Sequence, residues 1–342
     1  MRKALFRLLI AGVSFLSFFA AGYHATHPPL PQPGQSPEFY STQTRHDLQL
    51  TFLQAIRQAE HSIFLFTYSL ADPTIIRALR TKSEKGLDVR VICDSNASSG
   101  VANKLGQNVQ TYYRKGKGLM HQKILLTDGC NVWIGSANMT RPSLKIHGNL
   151  VIGLHSEDFG QTIIKKAQMM ATAGKVKTIE AERFLVGGQP IEMWFLPDNA
   201  DAIKQLQQLI QTAEKSLKIA MFTWTRLDLA QEIIDSKHRG VDVQVIIDQH
   251  SGSGVSSRVA DHLRKGGVPV RLSTGQGLLH HKLMIIDNKI LVNGSANWTN
   301  AAFSRNDDCF LILRDLNKKQ QRHLHRLWNV MTRESTPCLM RR

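Results

Sequence analysis

One pattern of polar residues occurs twice in this chain, and it limits the fold to an internal repeat. The first copy is His121-Gln122-Lys123, Asp128 and Gly135-Ser136-Ala137-Asn138; the second is His280-His281-Lys282, Asp287 and Gly294-Ser295-Ala296-Asn297. Both copies have the form His-x-Lys-x4-Asp with a Gly-Ser-Ala-Asn continuation, and both follow a Gly-Leu lead-in. Two copies that share continuation and lead-in predict two structural units, each carrying half of one site.

The hydrophobic pattern around the two copies repeats in the same order. Each unit is predicted to run helix, strand, helix ending at glycine, strand ending in Asp, helix, motif, strand and helix. The predicted helices are 48–59, 75–86, 101–105 and 159–173 in the first unit and 203–213, 227–240, 255–263 and 318–331 in the second. The predicted strands outside the motifs are 62–68, 89–94 and 150–154, then 191–195, 217–224, 243–248 and 310–313. This alternation predicts the α/β class, as two similar α/β/α sandwich domains with mixed sheets.

The motif itself is predicted to form a hairpin. Apolar runs at 123–127 and 283–286 lead to turns that begin at Asp128 and Asp287, and apolar runs at 132–134 and 290–292 return. Alternate residues of a strand point to the same face, so His and Lys at positions i and i+2 project together. Gln122 and His281 then point away, which makes His281 an unsuitable catalyst.

The N-terminus has the layout of an export signal. Arg2, Lys3 and Arg7 precede an apolar run from residue 8 to 21, and small residues follow. The run is short for a membrane-spanning helix, although an uncleaved anchor is an alternative. Prolines then concentrate between residues 28 and 37. We therefore predict a signal peptide or anchor at 1–22, a Pro-rich linker at 23–38, a first domain at 39–175 and a second at 190–335.

The paired histidine and lysine motifs are suited to reaction at a phosphate ester. A phosphodiester is anionic and repels nucleophiles, so buried ammonium groups and amide donors offset its charge. A neutral imidazole can attack phosphorus, and a protonated imidazole can give its proton to the leaving oxygen. Because the two imidazoles need different protonation states, we expect a bell-shaped dependence of rate on pH. Lysine beside each histidine would repel a metal cation, which disfavours a metal hydrolase.

On these motifs the chain resembles the phospholipase D superfamily in its form with two motifs in one chain. The resemblance implies two units related by a pseudo-twofold axis, one shared site at their interface, and no metal or other cofactor. It also implies that His121 is the nucleophile and His280 the general acid. The catalytic positions of the motif are His121, Lys123, Asp128, His280, Lys282 and Asp287, and the phosphate-binding positions are Ser136, Asn138, Ser295 and Asn297.

One departure from symmetry concerns the residue that orients each histidine. The family commonly has an acidic residue after an Asn beyond each motif, and the second unit has Asn306-Asp307-Asp308, whereas the first has Asn149-Leu150-Val151. The sequence therefore predicts that Asp308 supports His280 and that His121 lacks such a carboxylate. Two alternatives follow: the catalytic roles are exchanged, or a backbone carbonyl holds His121.

The two motif aspartates have a structural interpretation as well as a catalytic one. Asp128 and Asp287 begin tight turns, and Asp favours turns because its carboxylate accepts local backbone hydrogen bonds. On that ground a structural role is the favoured one of the two.

The sequence leaves the substrate open. The chain carries a net charge of +16, which favours anionic partners. The leading hypothesis is an exported hydrolase (secreted, periplasmic or membrane-associated) that acts on phosphatidyl esters at a phospholipid membrane surface. A nuclease is the second hypothesis, with residues 114–117 contacting a nucleic-acid backbone. A phosphatidyl transferase and a non-catalytic phosphate- or membrane-binding protein are further alternatives. Internal duplication supplies both half-sites, so a monomer is expected.

Overall fold

The computed structural model describes residues 28–116, 118–171 and 178–338. The predicted export segment and the start of the predicted linker lie outside these ranges. Within them, no helix combines the length and the apolar character that a membrane span requires. The part of the linker that is described lies against the first unit, because Pro31 is buried and the carbonyl of Pro29 accepts a hydrogen bond from the Tyr40 hydroxyl at 2.5 Å.

The first unit contains seven strands and five helices among the described residues, apart from a 3-10 turn at Thr42–Thr44. Its strands are β1 (Glu38–Ser41), β2 (Ser62–Thr67), β3 (Asp88–Asp94), β4 (Gln110–Arg114), β5 (Ile124–Thr127), β6 (Asn131–Gly135) and β7 (Leu150–His155). Its helices are α1 (Leu48–Gln58), α2 (Pro73–Glu84), α3 (Val101–Leu105), α4 (Arg141–Lys145) and α5 (Glu157–Ala171).

The second unit repeats this order with additions at both ends. Its strands are β8 (Glu182–Val186), β9 (Gln189–Leu196), β10 (Ser216–Met221), β11 (Asp242–Ile247), β12 (Val270–Ser273), β13 (Lys282–Ile286), β14 (Ile290–Gly294), β15 (Asp308–Leu313) and β16 (Ser335–Pro337). Its helices are α6 (Ala202–Gln211), α7 (Leu227–His238), α8 (Gln249–Ser253), α9 (Ser257–Lys265), α10 (Asn300–Ser304) and α11 (Lys318–Arg333).

Local signals explain where the helices start and end. At α2 the Asp72 carboxylate accepts hydrogen bonds from the backbone N–H groups of Thr74 and Ile75, and Pro73 occupies the first turn. Asp caps free N–H groups and Pro has none to leave unpaired, so both favour a helix start. Gly86, at a φ of +92°, then redirects the chain into β3.

The two sheets confirm the duplication. The first sheet has the order β1-β7-β6-β5-β2-β3-β4. The second contains the equivalent run β9-β15-β14-β13-β10-β11-β12, extended by β8 at one edge and β16 at the other. Strands β2, β3 and β4 are parallel, whereas β2 and β5 are antiparallel, so the sheet is mixed as predicted. The predicted α/β class with two similar domains is confirmed.

One hydrophobic core joins the two sheets. Alternate residues of β5 point to opposite faces of the sheet. Ile124 and Leu126 belong to a core shared with the second unit, and Leu125 belongs to an outer core of the first unit. On β13, Leu283 and Ile285 join the shared core in the same way. This alternation directs one face of each sheet toward the other unit. The two units therefore pack through a buried apolar layer.

The sequence prediction omitted several elements at the edges of the sheets. Strands β1 and β8 were missed, because β1 follows a proline run and β8 alternates exposed and half-buried residues in a segment expected to separate the domains. The helix predicted at 255–263 is α9, which begins at Ser257 because Val255 lies exposed in a turn, and the short helix α8 before that turn was not predicted.

Close backbone contacts between the units explain the repeated Gly-Leu lead-in. Met120 forms a parallel bridge with Asp307, and Leu279 forms the reciprocal bridge with Gly148. A Cβ atom on Gly118 would lie 1.9 Å from the carbonyl oxygen of Arg305, and one on Gly277 would lie 2.6 Å from that of Ile146. Each glycine is therefore needed where the chain of the opposite unit approaches.

We expect Gly118→Ala to separate the two units locally, because its methyl group would overlap the backbone of Arg305. Overpacking of this kind costs about 1–3 kcal/mol, measurable as a lower free energy of unfolding in urea. Gly116→Ala is the matched control in the same loop, since a Cβ there meets no atom within 4 Å. Equal stability of the two variants would contradict this explanation of the lead-in.

Candidate active site

The two motifs meet at the interface of the units. His121 and His280 lie in the segments that lead into β5 and β13. Each histidine is buried, with 7% of its surface exposed. Lys123 and Lys282 are more deeply buried, with 3% exposure each. Each lysine Nζ donates a hydrogen bond to the carbonyl of the histidine two residues earlier, at 2.5 Å for Lys123 and 2.8 Å for Lys282. The site thus combines two imidazoles and two ammonium groups.

Each histidine is held by a residue of the opposite unit. The Nδ1 atom of His121 lies 2.7 Å from an Oδ1 of Asp308, and the Nδ1 atom of His280 lies 3.0 Å from Oδ1 of Asn149. The prediction that Asp308 supports His280 is therefore wrong, because the reciprocal bridges at the interface bring each strand start beside the other unit's histidine. His121 has the carboxylate partner and His280 has the neutral one.

This arrangement fixes the tautomers of the two imidazoles. A carboxylate and an amide oxygen both accept, so each Nδ1 carries the proton and each Nε2 has a free lone pair in the neutral ring. The Asn149 amide is oriented by its Nδ2, which donates to the carbonyl of Ser143 at 2.8 Å. The Asp308 carboxylate stabilises positive charge on His121, which makes His121 the better candidate for the nucleophile.

The two motif serines support these partners. The Ser136 hydroxyl donates to Oδ1 of Asn149 at 2.8 Å, and the Ser295 hydroxyl donates to Oδ1 of Asp308 at 2.7 Å. Both serines are fully buried. This geometry disagrees with their predicted role as phosphate ligands, because each hydroxyl hydrogen is already donated to Asn149 or Asp308.

The motif asparagines lie closer to the surface than the serines. Asn138 and Asn297 are both half-buried. Oδ1 of Asn297 accepts a hydrogen bond from the backbone N–H of Thr223 at 3.3 Å, which leaves its NH₂ group available for an anion. The structure is compatible with the predicted role of these two residues in binding phosphate.

Burial and the proximity of the two lysines lower the pKa values of the basic groups in the site. Burial and the charge of Lys123 lower the pKa of His121, although Asp308 opposes them. Burial lowers the pKa of Lys123 to about 7, and burial together with Lys123 holds the pKa of Lys282 well below its usual value. Like charges in a poorly solvated site destabilise one another. A phosphate group placed between them would relieve this repulsion.

Aromatic rings enclose the four motif side chains. Tyr68 lies with its ring centroid 5.4 Å from that of His121, and Lys123 Nζ lies 5.5 Å from the Tyr68 centroid. In the second unit Phe222 holds the equivalent position, 4.8 Å from both the His280 ring and Lys282 Nζ. These rings stabilise the ammonium groups through cation–π contact. The sequence analysis did not name Tyr68 or Phe222 as site residues. Each directly follows an equivalent strand, β2 in the first unit and β10 in the second.

Two further aspartates that the prediction did not include position the motifs. Asp94 is the last residue of β3, and Asp248 directly follows the aligned strand β11. The Asp94 carboxylate accepts from the backbone N–H of Met120 at 3.1 Å, and Asp248 accepts from that of Leu279 at 2.9 Å. Each carboxylate thus fixes the residue before a motif histidine. The sequence feature that could have identified them is the Asp that ends the same predicted strand in both units, at 89–94 and at 243–248.

The motif aspartates lie at the far end of the hairpins. The Asp128 carboxylate accepts hydrogen bonds from the backbone N–H groups of residues 60–62, and Asp287 does the same for residues 214–216. Both have a positive φ of 52° in the turn. No hydrogen bond joins either carboxylate to His121 or His280 in the described residues. The geometry favours the structural interpretation and disagrees with a catalytic role.

The middle residue of each motif points away from the histidine–lysine pair, as predicted. Gln122 is fully buried and donates to the carbonyl of Asp308 at 3.3 Å. His281 is also buried, and its Nε2 lies 2.8 Å from Oε1 of Gln43. Burial lowers the pKa of His281 to about 3, so this ring stays neutral.

A family model described as cardiolipin synthase, PLD-like domain matches the chain twice, at residues 52–171 and 206–328. Together these matches cover more than half of the chain. The protein belongs to the phospholipase D superfamily. Each match contains one phospholipase D motif together with the residue, Asn149 or Asp308, that orients the histidine of the other.

Individual relatives within the phospholipase D superfamily are similar over parts of the chain. The mitochondrial cardiolipin hydrolase of Xenopus tropicalis is 34% identical over 135 residues, which are 39% of this chain and 64% of that protein. A phospholipase D of Rickettsia felis is 24% identical over 168 residues, which are 48% of this chain and 82% of that protein. The match spans less than two thirds of the length of the cardiolipin hydrolase.

A solved structure shows the same fold along most of the chain. Phosphatidylserine synthase from Haemophilus influenzae superposes with a TM-score of 0.68 over 93% of this chain and 91% of that one. Sequence identity is 14%, so this likeness concerns the fold alone. It supports two similar domains in one chain.

We expect Asp308→Asn to slow phosphodiester cleavage roughly 10²-fold or more, the contribution of a positioned acid–base group. The amide preserves the shape, as Asn149 does beside His280, but it lacks the charge that stabilises protonated His121. Hydrolysis of a chromogenic phosphodiester measures the effect. Asp307→Asn is the control, because that carboxylate contacts Arg114 and not the His121 ring. Full activity of Asp308→Asn would contradict this role.

Proposed function

We propose that this protein is a phosphodiesterase of the phospholipase D type that hydrolyses phosphatidyl esters through a phosphohistidine intermediate, without a metal ion. The observation that carries the proposal is the reciprocal support of two buried imidazoles, His121 by Asp308 and His280 by Asn149. One imidazole is equipped to become positively charged, and both have Nε2 free to face a substrate. Lys123 and Lys282 supply the positive charge that holds the phosphate.

In the first step the Nε2 lone pair of His121 attacks phosphorus while the bond from phosphorus to the headgroup oxygen breaks. Protonated His280 gives its Nε2 proton to that oxygen, and the headgroup leaves as a neutral hydroxyl compound. In the second step water attacks phosphorus and transfers a proton to His280. The bond from phosphorus to His121 breaks, phosphatidic acid leaves, and both imidazoles return to their first states.

The proton on His280 depends on the substrate. Burial and the charges of Lys282 and Lys123 hold the pKa of His280 well below its usual value in the free protein. An anionic phosphodiester beside these groups offsets the lysine charges and raises that pKa. Binding of substrate is thereby coupled to uptake of the proton that the leaving group needs.

Surface features beside the site favour a lipid over a nucleic acid. Leu119 and Ile146, in segments that flank the site, are large apolar residues with 41% and 54% exposure. Arg114, which was considered as a nucleic-acid contact, pairs with Asp307 at 3.2 Å. Relatives named cardiolipin hydrolase and phospholipase D point the same way. Exposed apolar side chains beside a site suit contact with a membrane surface better than with a phosphate backbone.

The direct test is to trap the intermediate on phosphatidylglycerol that carries labelled phosphate. Acid quenching of the wild-type protein should yield label bound to histidine. His280→Ala should form it only slowly, because departure of the glycerol oxygen lacks its acid, and His121→Ala should form none. Label on His121→Ala would reverse the two roles.

Parallel assays distinguish the alternative functions. Headgroup release from lipid vesicles in EDTA supports the proposal, whereas cleavage of DNA without headgroup release would replace it with a nuclease. Predominant formation of a new phosphatidyl ester when an alcohol is added would indicate a transferase. Binding of lipid or DNA without cleavage of either would indicate a non-catalytic protein.

We expect kcat/KM to fall as pH rises from about 6 to 8. The general acid His280 must be protonated, and a pKa below the usual 6.5 means that this form is lost on the acid side of neutrality. Lys123, with a pKa of about 7, loses its charge over the same range. Asn149→Asp should move the descending limb to higher pH, since a carboxylate raises the pKa of an adjacent imidazole. A flat wild-type profile between these values would be inconsistent with His280 as the acid.

A further inference from the structure

The last helix of the second unit has an exposed side whose charged residues are all positive. Helix α11 contains five Lys or Arg and no Asp or Glu. Its apolar side is buried in the core that joins the two sheets, through Leu324, Leu327, Trp328 and Met331. Residues three or four apart lie on the same side of a helix. At this spacing the exposed side of α11 presents a set that we call its cationic face: Lys318, Arg322, Arg326 and Arg333.

Carboxylates do not offset the charge of the cationic face. Among the described residues, Lys319 is the one cation of α11 that forms an ion pair, with Glu38 at 2.5 Å. Two adjoining depressions, of about 550 and 340 Å³, follow the cationic face and share Arg326, and no Asp or Glu lines either of them. Arg45 of the first unit lines the smaller depression and extends the positive surface beyond the helix. The surface is therefore matched to an anionic partner.

The duplicated fold does not require a cationic helix at this place. Helix α5 is the equivalent of α11, because each follows the last strand of the repeated run and packs on the shared core. It carries two acids, Glu157 and Asp158, and two lysines. One of these lysines, Lys166, is buried in an ion pair with Asp198. The excess of positive charge is thus a property of α11 and not of the repeat.

The start of the described chain runs beside the cationic face. The Gln320 side chain of α11 donates a hydrogen bond to the carbonyl of Pro37 at 2.9 Å, and Pro29 lines the same cavity as Arg326. The sequence predicts an export signal or anchor at 1–22, and the seven steps of chain from residue 22 to Pro29 can span at most about 25 Å. An anchor at 1–22 would therefore hold the cationic face close to the headgroups of the membrane that it entered.

We propose that the cationic face of α11, extended by Arg45, docks the protein on a membrane surface that contains anionic phospholipid. Each basic residue held near such a surface strengthens binding about fivefold. Single-stranded nucleic acid suits the cationic face less well, because its bases need exposed rings on which to stack. Trp328, the one Phe, Tyr or Trp residue of α11, is 3% exposed and donates its indole N–H to Gln244. The docking surface contains none of the active-site residues, so this proposal does not depend on the proposed function.

The test is to label the arginines of the full chain with a phenylglyoxal reagent and to measure the rate at each residue by mass spectrometry. The protein is mixed with vesicles of phosphatidylcholine, alone or with phosphatidic acid, a phosphomonoester that the proposed reaction leaves unchanged. The anionic vesicles should slow labelling of Arg322, Arg326 and Arg333 roughly fivefold. Labelling of Arg77 and Arg258 should be the same on both vesicles, because these exposed residues lie on helices that cover the outer cores of the two units. High salt should remove the protection by screening the charges.

Two double variants with the same change in net charge complete the test. Arg322→Gln/Arg326→Gln should abolish the protection of Arg333 on anionic vesicles, whereas Arg77→Gln/Arg258→Gln should leave it intact. Equal labelling of the cationic face on both vesicles would overturn the proposal, and so would equal protection of Arg77 and Arg258, which would indicate adsorption without a preferred side. Protection by DNA and not by anionic vesicles would replace the membrane with a nucleic acid. Headgroup release is measured separately, so failure of docking and failure of the proposed function are distinguishable.

Discussion

The contact between His121 and Asp308 is the interaction on which the rest of the structure depends. It joins the motif of one unit to a strand start of the other, and it forms only when the backbones meet as they do at Met120 and Asp307. That approach requires glycine at position 118 and an apolar layer that holds the sheets face to face. The units are thus parts of a single site, because neither orients its own histidine.

The two units have similar backbones, but the side chains that contact their motif histidines differ in charge. A carboxylate supports His121 and an amide supports His280, so the same ring meets a negative charge on one side and none on the other. Burial with two lysines lowers the pKa of both rings, and only His121 has a buried counter-charge of its own. This difference supports the proposed assignment of His121 as nucleophile and His280 as acid in a fold whose two halves have similar backbones.

Much of the fold could be predicted because it is encoded locally. The apolar strands 89–94 and 243–248 and the helix 101–105 match β3, β11 and α3 closely, since periodicity and capping residues act over a few positions. Strand β8 was missed because its burial comes from pairing with β9 rather than from its own pattern. The side-chain partners of the histidines were predicted wrongly for a related reason: Asp308 and His121 are far apart in sequence, and nothing local shows which unit's histidine a carboxylate will reach.

The sequence by itself determined that each motif histidine lies beside its lysine, because side chains two residues apart on an extended chain project to the same face. It also determined that there are two such pairs. Only the tertiary structure decided which residue orients which histidine, and that Ser136 and Ser295 hydrogen-bond to those orienting residues. These outcomes depend on the packing of one unit against the other, and packing is set by the shape of whole surfaces rather than by the spacing of residues along the chain.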